Sequence, residues 1–165
     1  EKGISTGSMS KVFSLPGLRI GWIATKAKEV IHKLLERRDY DIISCSMLDE
    51  AIAALALKNS DKLIKRNLTL VNRNIEVLDR WISSQEHFSY IKPKASTVTL
   101  LFYDFPIPSK EFSLRLLDET GVFLTPGSCF GVEGSLRIGY AASIEVLEKA
   151  LELLAQFSKK LSRAA

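Results

Sequence analysis

Histidine and cysteine are scarce in this sequence. Its 165 residues include two histidines, His32 and His87, and two cysteines, Cys45 and Cys129. Neither cysteine has a second cysteine or a histidine at metal-ligand spacing, so we expect no metal site and interpret both as free thiols. A catalytic site built on histidine is poorly supplied for the same reason, which directs attention to other nucleophiles.

Long apolar runs and one-sided charge are also missing. No stretch reaches the length of a membrane span and no signal-peptide pattern opens the chain, so we expect no membrane partner and a cytoplasmic location. The formal net charge is +4, which is too small for a typical nucleic-acid binder, and we predict no nucleic-acid partner. Because the first residue is Glu1 and not Met, we expect the sequence to begin inside a longer protein.

The first half of the chain predicts a strand followed by helices. Residues 18–24 are apolar and partly branched, which favours a buried strand, and Thr25 is placed to cap the next helix. Ser46 begins a capping box ahead of a second helical pattern. The apolar positions that recur on that helix are Leu48, Ile52 and Leu55. A polar break at 59–61 precedes the strongest periodic face, whose members are Ile64, Leu68, Val71, Ile75, Leu78 and Ile82.

The second half predicts a small sheet with helices on one face. Alternation over residues 97–102 predicts a strand. Residues 109–120 predict a helix that ends at Gly121, and two short strands are predicted at 122–125 and 135–140. The order strand, helix, strand, strand, helix is typical of an α/β arrangement in which a small sheet is backed by helices.

The residues that suggest chemistry lie near the start of the chain. Lys11 follows Ser8 and Ser10, and a lysine amine is a nucleophile in its neutral form. Arg19 comes eight residues later, at the start of the predicted buried strand, where a buried arginine needs an anion. Arginine and serine hydroxyls together suit a phosphate, so these residues fit a ligand with both a carbonyl group and a phosphate, such as pyridoxal phosphate. From the residues alone, a surface lysine and a structural arginine ion pair stay open as alternatives.

The whole segment around Lys11 resembles a known signature. Residues 8–22, SMSKVFSLPGLRIGW, resemble the cofactor-attachment pattern S-x-S-K followed by G-L-R-x-G of class I and II aminotransferases, which are fold-type I pyridoxal-phosphate enzymes. The resemblance implies that Lys11 holds pyridoxal 5'-phosphate as a Schiff base. It further implies that Ser8 and Arg19 bind the phosphate, with Ser10 also at the cofactor.

Two later segments extend the resemblance nearly to the end of the chain. Residues 121–131, GVFLTPGSCFG, resemble the family's G-V-x-x-x-P-G-S-x-F-G segment, and residues 136–141, LRIGYA, resemble its L-R-I-x-x-A strand. The resemblance implies that Arg137 clamps the substrate α-carboxylate, which a planar guanidinium can grip through two parallel hydrogen bonds. A structural ion pair is the alternative for Arg137. For the Pro-Gly-Ser loop, a turn role and a pocket-lining role are both open.

The resemblance also implies an organisation and an activity. Residues 1–45 would be the end of the large cofactor-binding domain, 46–84 a long inter-domain helical segment, and 85–165 the small C-terminal α/β domain with a mostly antiparallel sheet. The full-length protein would be a homodimeric aminotransferase acting on an amino acid and a 2-keto acid. The family's amino-terminal half, which stacks on the cofactor ring and pairs with its pyridinium nitrogen, has no counterpart here. We therefore expect the isolated chain to be inactive.

Three other functions stay open. A pyridoxal-phosphate lyase or decarboxylase of the same fold would keep the same lysine and arginines, since the bond that breaks depends on pocket residues mostly outside this chain. An aminotransferase-like effector-binding domain of a regulator would carry a DNA-binding segment upstream. The third alternative is a structural domain without a cofactor, and the presence of Lys11, Arg19 and Arg137 argues against it. The sequence does not specify the amino-acid substrate.

Overall fold

The computed structural model describes residues 3–164. They form two compact units, and the boundary between the units falls between Leu68 and Thr69, inside a long helix. Each unit has its own antiparallel sheet and its own apolar core. This mixture of helices with small antiparallel sheets confirms the predicted α/β fold class.

The first unit combines a β-hairpin with three helical segments. Its elements are β1 (Ile4–Ser8), β2 (Gly21–Thr25), α1 (Lys28–Asp41), α2 (Met47–Lys58) and the beginning of α3 (Ser60–Ser83). The two strands pair antiparallel, with Ser8 opposite Gly21 at the end that leads into the connecting loop. The predicted polar break is a true helix boundary, because Asn59 alone separates α2 from α3.

A small core anchors the loop between β1 and β2. Met9 is fully buried with Ala53 and Ala56 of α2, and the partly buried side chains around them are Phe13, Leu15, Leu18, Ile20 and Leu63. The helix predicted after Ser46 is confirmed, and the apolar positions that recur along it, Leu48, Ile52 and Leu55, are all exposed. The helix is apolar on more than one side. The side with the small residues Ala53 and Ala56 packs against the loop, because small side chains allow a close approach.

The strand predicted at residues 18–24 begins later and is not buried within this unit. Leu18 ends a 3-10 turn, and Arg19 adopts a left-handed conformation with φ of 54°. A residue in that region cannot continue a strand, so β2 starts only at Gly21. Along β2 all residues but the last are exposed, and no third described strand pairs with the two-stranded hairpin.

The two predicted helix caps in this unit differ in outcome. Ser46 is confirmed as a cap, since its hydroxyl accepts a 3.4 Å hydrogen bond from the backbone N–H of Asp49. Thr25 is not a cap, because α1 starts after Ala27. The Thr25 hydroxyl instead accepts from Ala27 N at 3.2 Å and donates to the Gly3 carbonyl at 2.9 Å, which ties the hairpin end to the turn before α1.

The second unit is a four-stranded sheet packed against helices. Its elements after the end of α3 are β3 (Phe88–Tyr90), β4 (Val98–Tyr103), α4 (Ser109–Thr120), β5 (Thr125–Pro126), β6 (Ser135–Gly139) and α5 (Ile144–Ala164). The strand order is β3-β4-β6-β5 and every neighbouring pair is antiparallel. Helix α4 ends where predicted, and Gly121 takes the left-handed C-terminal position with φ of 76°.

One continuous core fills this unit. Helix α3 contributes Leu78 and Ile82, which confirms the C-terminal part of the predicted periodic face. Other fully buried apolar side chains of this core are Leu101, Leu136, Phe112, Leu116, Tyr140, Leu154 and Phe157. Edge-to-face packing of Phe112 on Phe157, with ring centroids 5.2 Å apart, joins α4 to α5.

The strand predicted at 97–102 is confirmed as β4, and one other strand prediction in this unit needs correction. In β4 the core-facing residues are Leu101 and Tyr103, whereas Leu100 and Phe102 lie on the other face and are half-buried. Because both faces of β4 are apolar, alternation identified the strand but not its buried side. The strand predicted at 122–125 is reduced to Thr125–Pro126, since the Leu124 carbonyl accepts a hydrogen bond from the Ser113 hydroxyl and lies outside the sheet ladder.

Candidate active site

Lys11 lies in a turn that follows β1 closely. Its carbonyl oxygen accepts a 3.0 Å hydrogen bond from Ser14 N, and its side chain is exposed. Met9, two residues earlier, is fully buried and its N–H donates to the Ile20 carbonyl at 3.0 Å. The turn is therefore anchored in the core of its unit while the lysine amine stays accessible.

Ser8 and Ser10 flank the buried methionine. The Ser10 backbone N–H donates to the Ser8 hydroxyl at 3.2 Å, which fixes the orientation of that hydroxyl beside the turn. Farther along, the Asn67 side chain of α3 donates to the Val12 carbonyl at 2.8 Å and braces the residue after Lys11. The predicted serines and lysine thus share one tightly bonded segment.

Arg19 belongs to the same end of the hairpin. It stands two residues before Gly21, which is the strand partner of Ser8. The side chain is exposed, so the sequence-based expectation of a buried arginine is not met within this unit. Its Nη1 donates to the Pro16 carbonyl at 2.9 Å, and no described carboxylate forms an ion pair with its guanidinium.

The electrostatics of this end of the hairpin favour an anion. Residues 3–28 contain no aspartate or glutamate, and Lys11 and Arg19 supply positive charge at this end of the hairpin. No carboxylate among residues 3–164 forms an ion pair with Lys11 or Arg19. Hydroxyl, guanidinium and ammonium groups are the donors that hold phosphate in proteins, so the donor set fits a phosphorylated ligand with a reactive carbonyl.

Arg137 lies in the second unit, on β6. It pairs in register with Leu100 of β4 on one side and Thr125 of β5 on the other, on the sheet face opposite the core. Its Nη2 donates to the Thr125 hydroxyl at 3.1 Å, and its guanidinium carbon lies 5.1 Å from the centroid of the Phe130 ring. Within the described part of the chain no carboxylate pairs with Arg137.

The loop that presents Phe130 is braced at several points. Gly127–Phe130 forms a 3-10 turn, and the Ser128 N–H donates to the Ser109 hydroxyl at 3.1 Å. The Ser109 N–H, at the start of α4, donates to the Glu133 carboxylate. Glu133 therefore acts as a helix cap from outside the helix, since Pro108 at the N-cap position makes no side-chain cap.

Two hydrogen bonds hold the Glu133 carboxylate in its charged form. The backbone N–H and then the hydroxyl of Ser109 are the main causes that keep the pKa of Glu133 below its ordinary value of 4.5. A carboxylate at the positive end of a helix is stabilised in the same direction. This arrangement fixes the loop between β5 and β6 at neutral pH.

Sequence analysis missed the residues around Arg137. The sequence predicts Thr125 as part of a longer strand and leaves the role of the Pro-Gly-Ser loop open. The available signal was the position of Phe130 in the same motif, seven residues before Arg137. An aromatic residue that stays half-exposed in a well-packed unit is a candidate for contact with a charged group.

Two kinds of feature are absent from the described residues. Among residues 3–164, no helix combines the length and apolarity needed to cross a bilayer. Over the same range, no three histidine, cysteine, aspartate or glutamate side chains cluster closely enough to hold a metal ion.

Comparison with known proteins identifies the family. The model for class I and II aminotransferases matches residues 1–154, and the chain belongs to this family. It is 31% identical over 169 residues to LL-diaminopimelate aminotransferase of Dehalococcoides mccartyi, a match that covers 96% of this chain and 41% of that protein. It is 29% identical over 157 residues to capreomycidine synthase of Streptomyces vinaceus, covering 94% and 40% respectively.

The fold agrees with the family assignment. A pyridoxal-phosphate-dependent aminotransferase from Streptococcus suis superposes with a TM-score of 0.93 at 38% identity, covering 97% of this chain and 42% of that structure. This chain therefore spans about two fifths of the length of the relatives that it matches. The expected relationship to pyridoxal-phosphate enzymes is confirmed at the level of the family.

Proposed function

We propose that this chain is the carboxy-terminal part of a pyridoxal-phosphate-dependent aminotransferase that uses an amino acid and a 2-keto acid. The observation that supports this best is the hairpin end with Lys11, Ser8 and Arg19, where basic and hydroxyl groups gather without a carboxylate. Membership of the aminotransferase family points in the same direction.

Each site residue has a role in this proposal. The Lys11 amine is the attachment point for the cofactor's aldehyde, and once released it moves the proton to and from the substrate Cα. Arg19 and Ser8 hold the phosphate by charge-assisted and hydroxyl hydrogen bonds, and Ser10 completes the turn that presents them. Arg137 binds the substrate carboxylate and so fixes the direction of the Cα–H bond. When bound, pyridoxal phosphate supplies the electron sink that makes this proton removable.

We also propose that the activity needs more than this chain. Lys11 and Arg19 are exposed here, and a catalytic lysine and a phosphate clamp act best in a site that excludes water. The large apolar side chains of the hairpin and α1 that are exposed in the first unit include Trp22, Ile23 and Leu35, which suits a surface covered by further protein. The active form is then a longer polypeptide, and as in the family a homodimer, while the isolated chain is inactive.

A second reaction type is favoured by a specific observation. Two of the chain's relatives are capreomycidine synthase, at 29% identity, and a pyridoxal-phosphate-dependent cyclase, at 28% identity and a TM-score of 0.89. The same lysine and arginines would serve a lyase, decarboxylase or cyclase, because the choice of bond rests on other pocket residues. Analysis of the products formed by the full-length protein separates these from transamination.

The first experiment is to trap the cofactor on the full-length protein. Pyridoxal phosphate is added, the absorbance spectrum is recorded, borohydride is added, and the labelled peptide is identified by mass spectrometry. We expect a borohydride-stable label on Lys11 that Lys11→Ala abolishes. Lys26→Ala, which changes an exposed lysine at the other end of β2, is the matched control and should keep the label. A label elsewhere, or none, would remove the basis of the proposed role for Lys11.

A further inference from the structure

Phe130 is a partly exposed aromatic residue next to Arg137. Its side chain is 46% exposed, although the unit around it has a well-filled core. Its ring faces the Arg137 guanidinium, whose carbon lies 5.1 Å from the ring centroid. An aromatic ring at that distance attracts a cation and limits the orientations that the arginine side chain can take.

Thr125 limits Arg137 from a second direction. Its hydroxyl accepts from Nη2 at 3.1 Å, and strand pairing places it directly opposite Arg137. A guanidinium has five N–H donors, so one donor to Thr125 leaves the others free for a carboxylate. The arginine is held by a ring and a hydroxyl and not by a charge that would compete with an anionic ligand.

Hydrogen bonds on both sides hold in place the turn that carries Phe130. The 3-10 turn that ends at Phe130 is tied to the start of α4 through the Ser128–Ser109 hydrogen bond. At its other side, Val132 N donates to the Gly127 carbonyl at 3.0 Å, and the Ser135 hydroxyl donates to the Val132 carbonyl at 2.7 Å. A ring fixed in this way can hold an arginine in place before the ligand arrives.

We propose that Phe130 is a positioning residue for Arg137, which it holds ready to receive the substrate carboxylate. This inference rests on the proposed role of Arg137 and extends it to a residue that does not itself need to touch the substrate. Without the ring, the Arg137 side chain would sample more rotamers. Substrate binding would then have to order this side chain. Ordering one long side chain and losing a partly exposed cation–π contact weaken binding by about 3- to 10-fold.

The test is a double-mutant cycle in the full-length protein. The probe is the L-amino acid that gives the highest rate in a screen of the common amino acids with 2-oxoglutarate. Phe130→Leu removes the ring face and should raise the KM for this amino acid about 3- to 10-fold with a smaller change in kcat. Phe130→Tyr keeps the ring and should restore the KM. In the Arg137→Ala background, Phe130→Leu should have no further effect, because its partner is gone.

Phe123 provides the matched control. It is another exposed phenylalanine of the same unit, at 59%, and no cation lies over its ring among the described residues. Phe123→Leu should leave the KM unchanged. Thermal melts of all variants and the absorbance of the bound cofactor check that folding and cofactor loading are intact.

Each outcome separates this inference from the proposed function. If Arg137→Ala raises the KM strongly but Phe130→Leu does not, or lowers it, the positioning role is wrong while the carboxylate clamp stands. If Phe130→Leu has the same effect with and without Arg137, the ring acts through something else and the inference is overturned. If Arg137→Ala changes nothing, the role of Arg137 itself fails.

Discussion

The side-chain amide of Asn74 donates a 2.8 Å hydrogen bond to the carbonyl oxygen of Tyr140, 66 residues farther along the chain. The same nitrogen donates to the Ala142 carbonyl, also at 2.8 Å. Asn74 is fully buried in the second half of α3, and the two acceptors lie just after β6, three and five residues beyond Arg137. The helix therefore fixes the exit of the strand that holds the predicted carboxylate clamp.

Loss of this link should destabilise the second unit. Asn74→Ala removes the hydrogen-bond donor of the Tyr140 and Ala142 carbonyl groups. We therefore expect the free energy of unfolding to fall by about 1–3 kcal/mol. Asn72→Ala, an exposed neighbour on the same helix, is the control and should change it by less than about 0.5 kcal/mol. Urea unfolding followed by circular dichroism measures both. Equal effects of the two substitutions would show that the buried amide contributes nothing specific.

The substitution Asn74→Asp tests the same contact through the pH dependence of stability. Asn74→Asp would place carboxylate oxygens against the Tyr140 and Ala142 carbonyls, which favours the protonated form and raises the pKa of the introduced group. Its folded-state pKa would then exceed its unfolded value, so the variant should be closer to wild type in acid and lose stability as the pH rises. Thermal midpoints at several pH values for variant and wild type reveal the sign. A difference that is independent of pH would contradict this geometry.

Some of this structure was predictable from the sequence because the signals are local. The helix from Ser109 to Thr120 with Gly121 behind it, the Ser46 cap and the α3 face through Leu78 all depend on residues within a turn or two of one another. The motif around Lys11 led to the correct family for the same reason. Whether the motif residues act as implied stays a prediction that only the experiments above decide.

Residue spacing located the helix α2 and the strand β4 but not the face that each of them buries. Both elements have apolar residues on two faces. Which face is buried depends on the partner, and spacing does not contain that information. The Asn74–Tyr140 hydrogen bond and the Phe130–Arg137 contact form only when the chain has folded, so no local sequence pattern predicts them.

The Glu133 carboxylate should make the second unit acid-sensitive. Since Ser109 lowers its folded pKa below the ordinary 4.5, its contribution is present above that value and is lost as the pH falls through the lower folded pKa. Glu133→Gln keeps an acceptor for the Ser109 N–H but removes the charge. We expect the wild type to melt at a higher temperature than Glu133→Gln at pH 7 and the gap to close in strongly acidic buffer.

Comparison with this variant isolates one carboxylate from the others. Asp79, whose pKa is lowered first by its hydrogen bond from Lys92, also loses stabilisation in acid, but it is present in both proteins and cancels in the difference. A gap that stays constant over the whole pH range would show that the charge of Glu133 does not matter to folding.

Gly127 should tolerate no side chain. A Cβ at this buried position would overlap the Val132 carbonyl oxygen and the Ser135 hydroxyl, and would lie 2.6 Å from the Ser135 carbonyl oxygen. We expect Gly127→Ala to lower the free energy of unfolding by about 1–3 kcal/mol, because backbone must shift to make room. Gly17→Ala, where a Cβ meets nothing within 4 Å, should leave the stability unchanged or slightly raised. Similar melting curves for the two variants would mean that the loop adjusts without strain.

Replacement of Arg19 by glycine should stabilise the fold and weaken phosphate binding. As a non-glycine residue in the left-handed region it is strained, so Arg19→Gly should raise the stability of the cofactor-free protein by roughly 0.5–1 kcal/mol after the flexibility of glycine is counted. The same change removes the guanidinium and should weaken pyridoxal phosphate binding by the full-length protein about tenfold or more. Ser14, which has a φ of 55°, is the matched control: Ser14→Gly should give the stability gain without the loss of affinity. Urea unfolding and an absorbance titration with pyridoxal phosphate measure the two effects. If both glycine variants lose affinity equally, the rigid backbone of the turn and not the arginine charge governs cofactor binding.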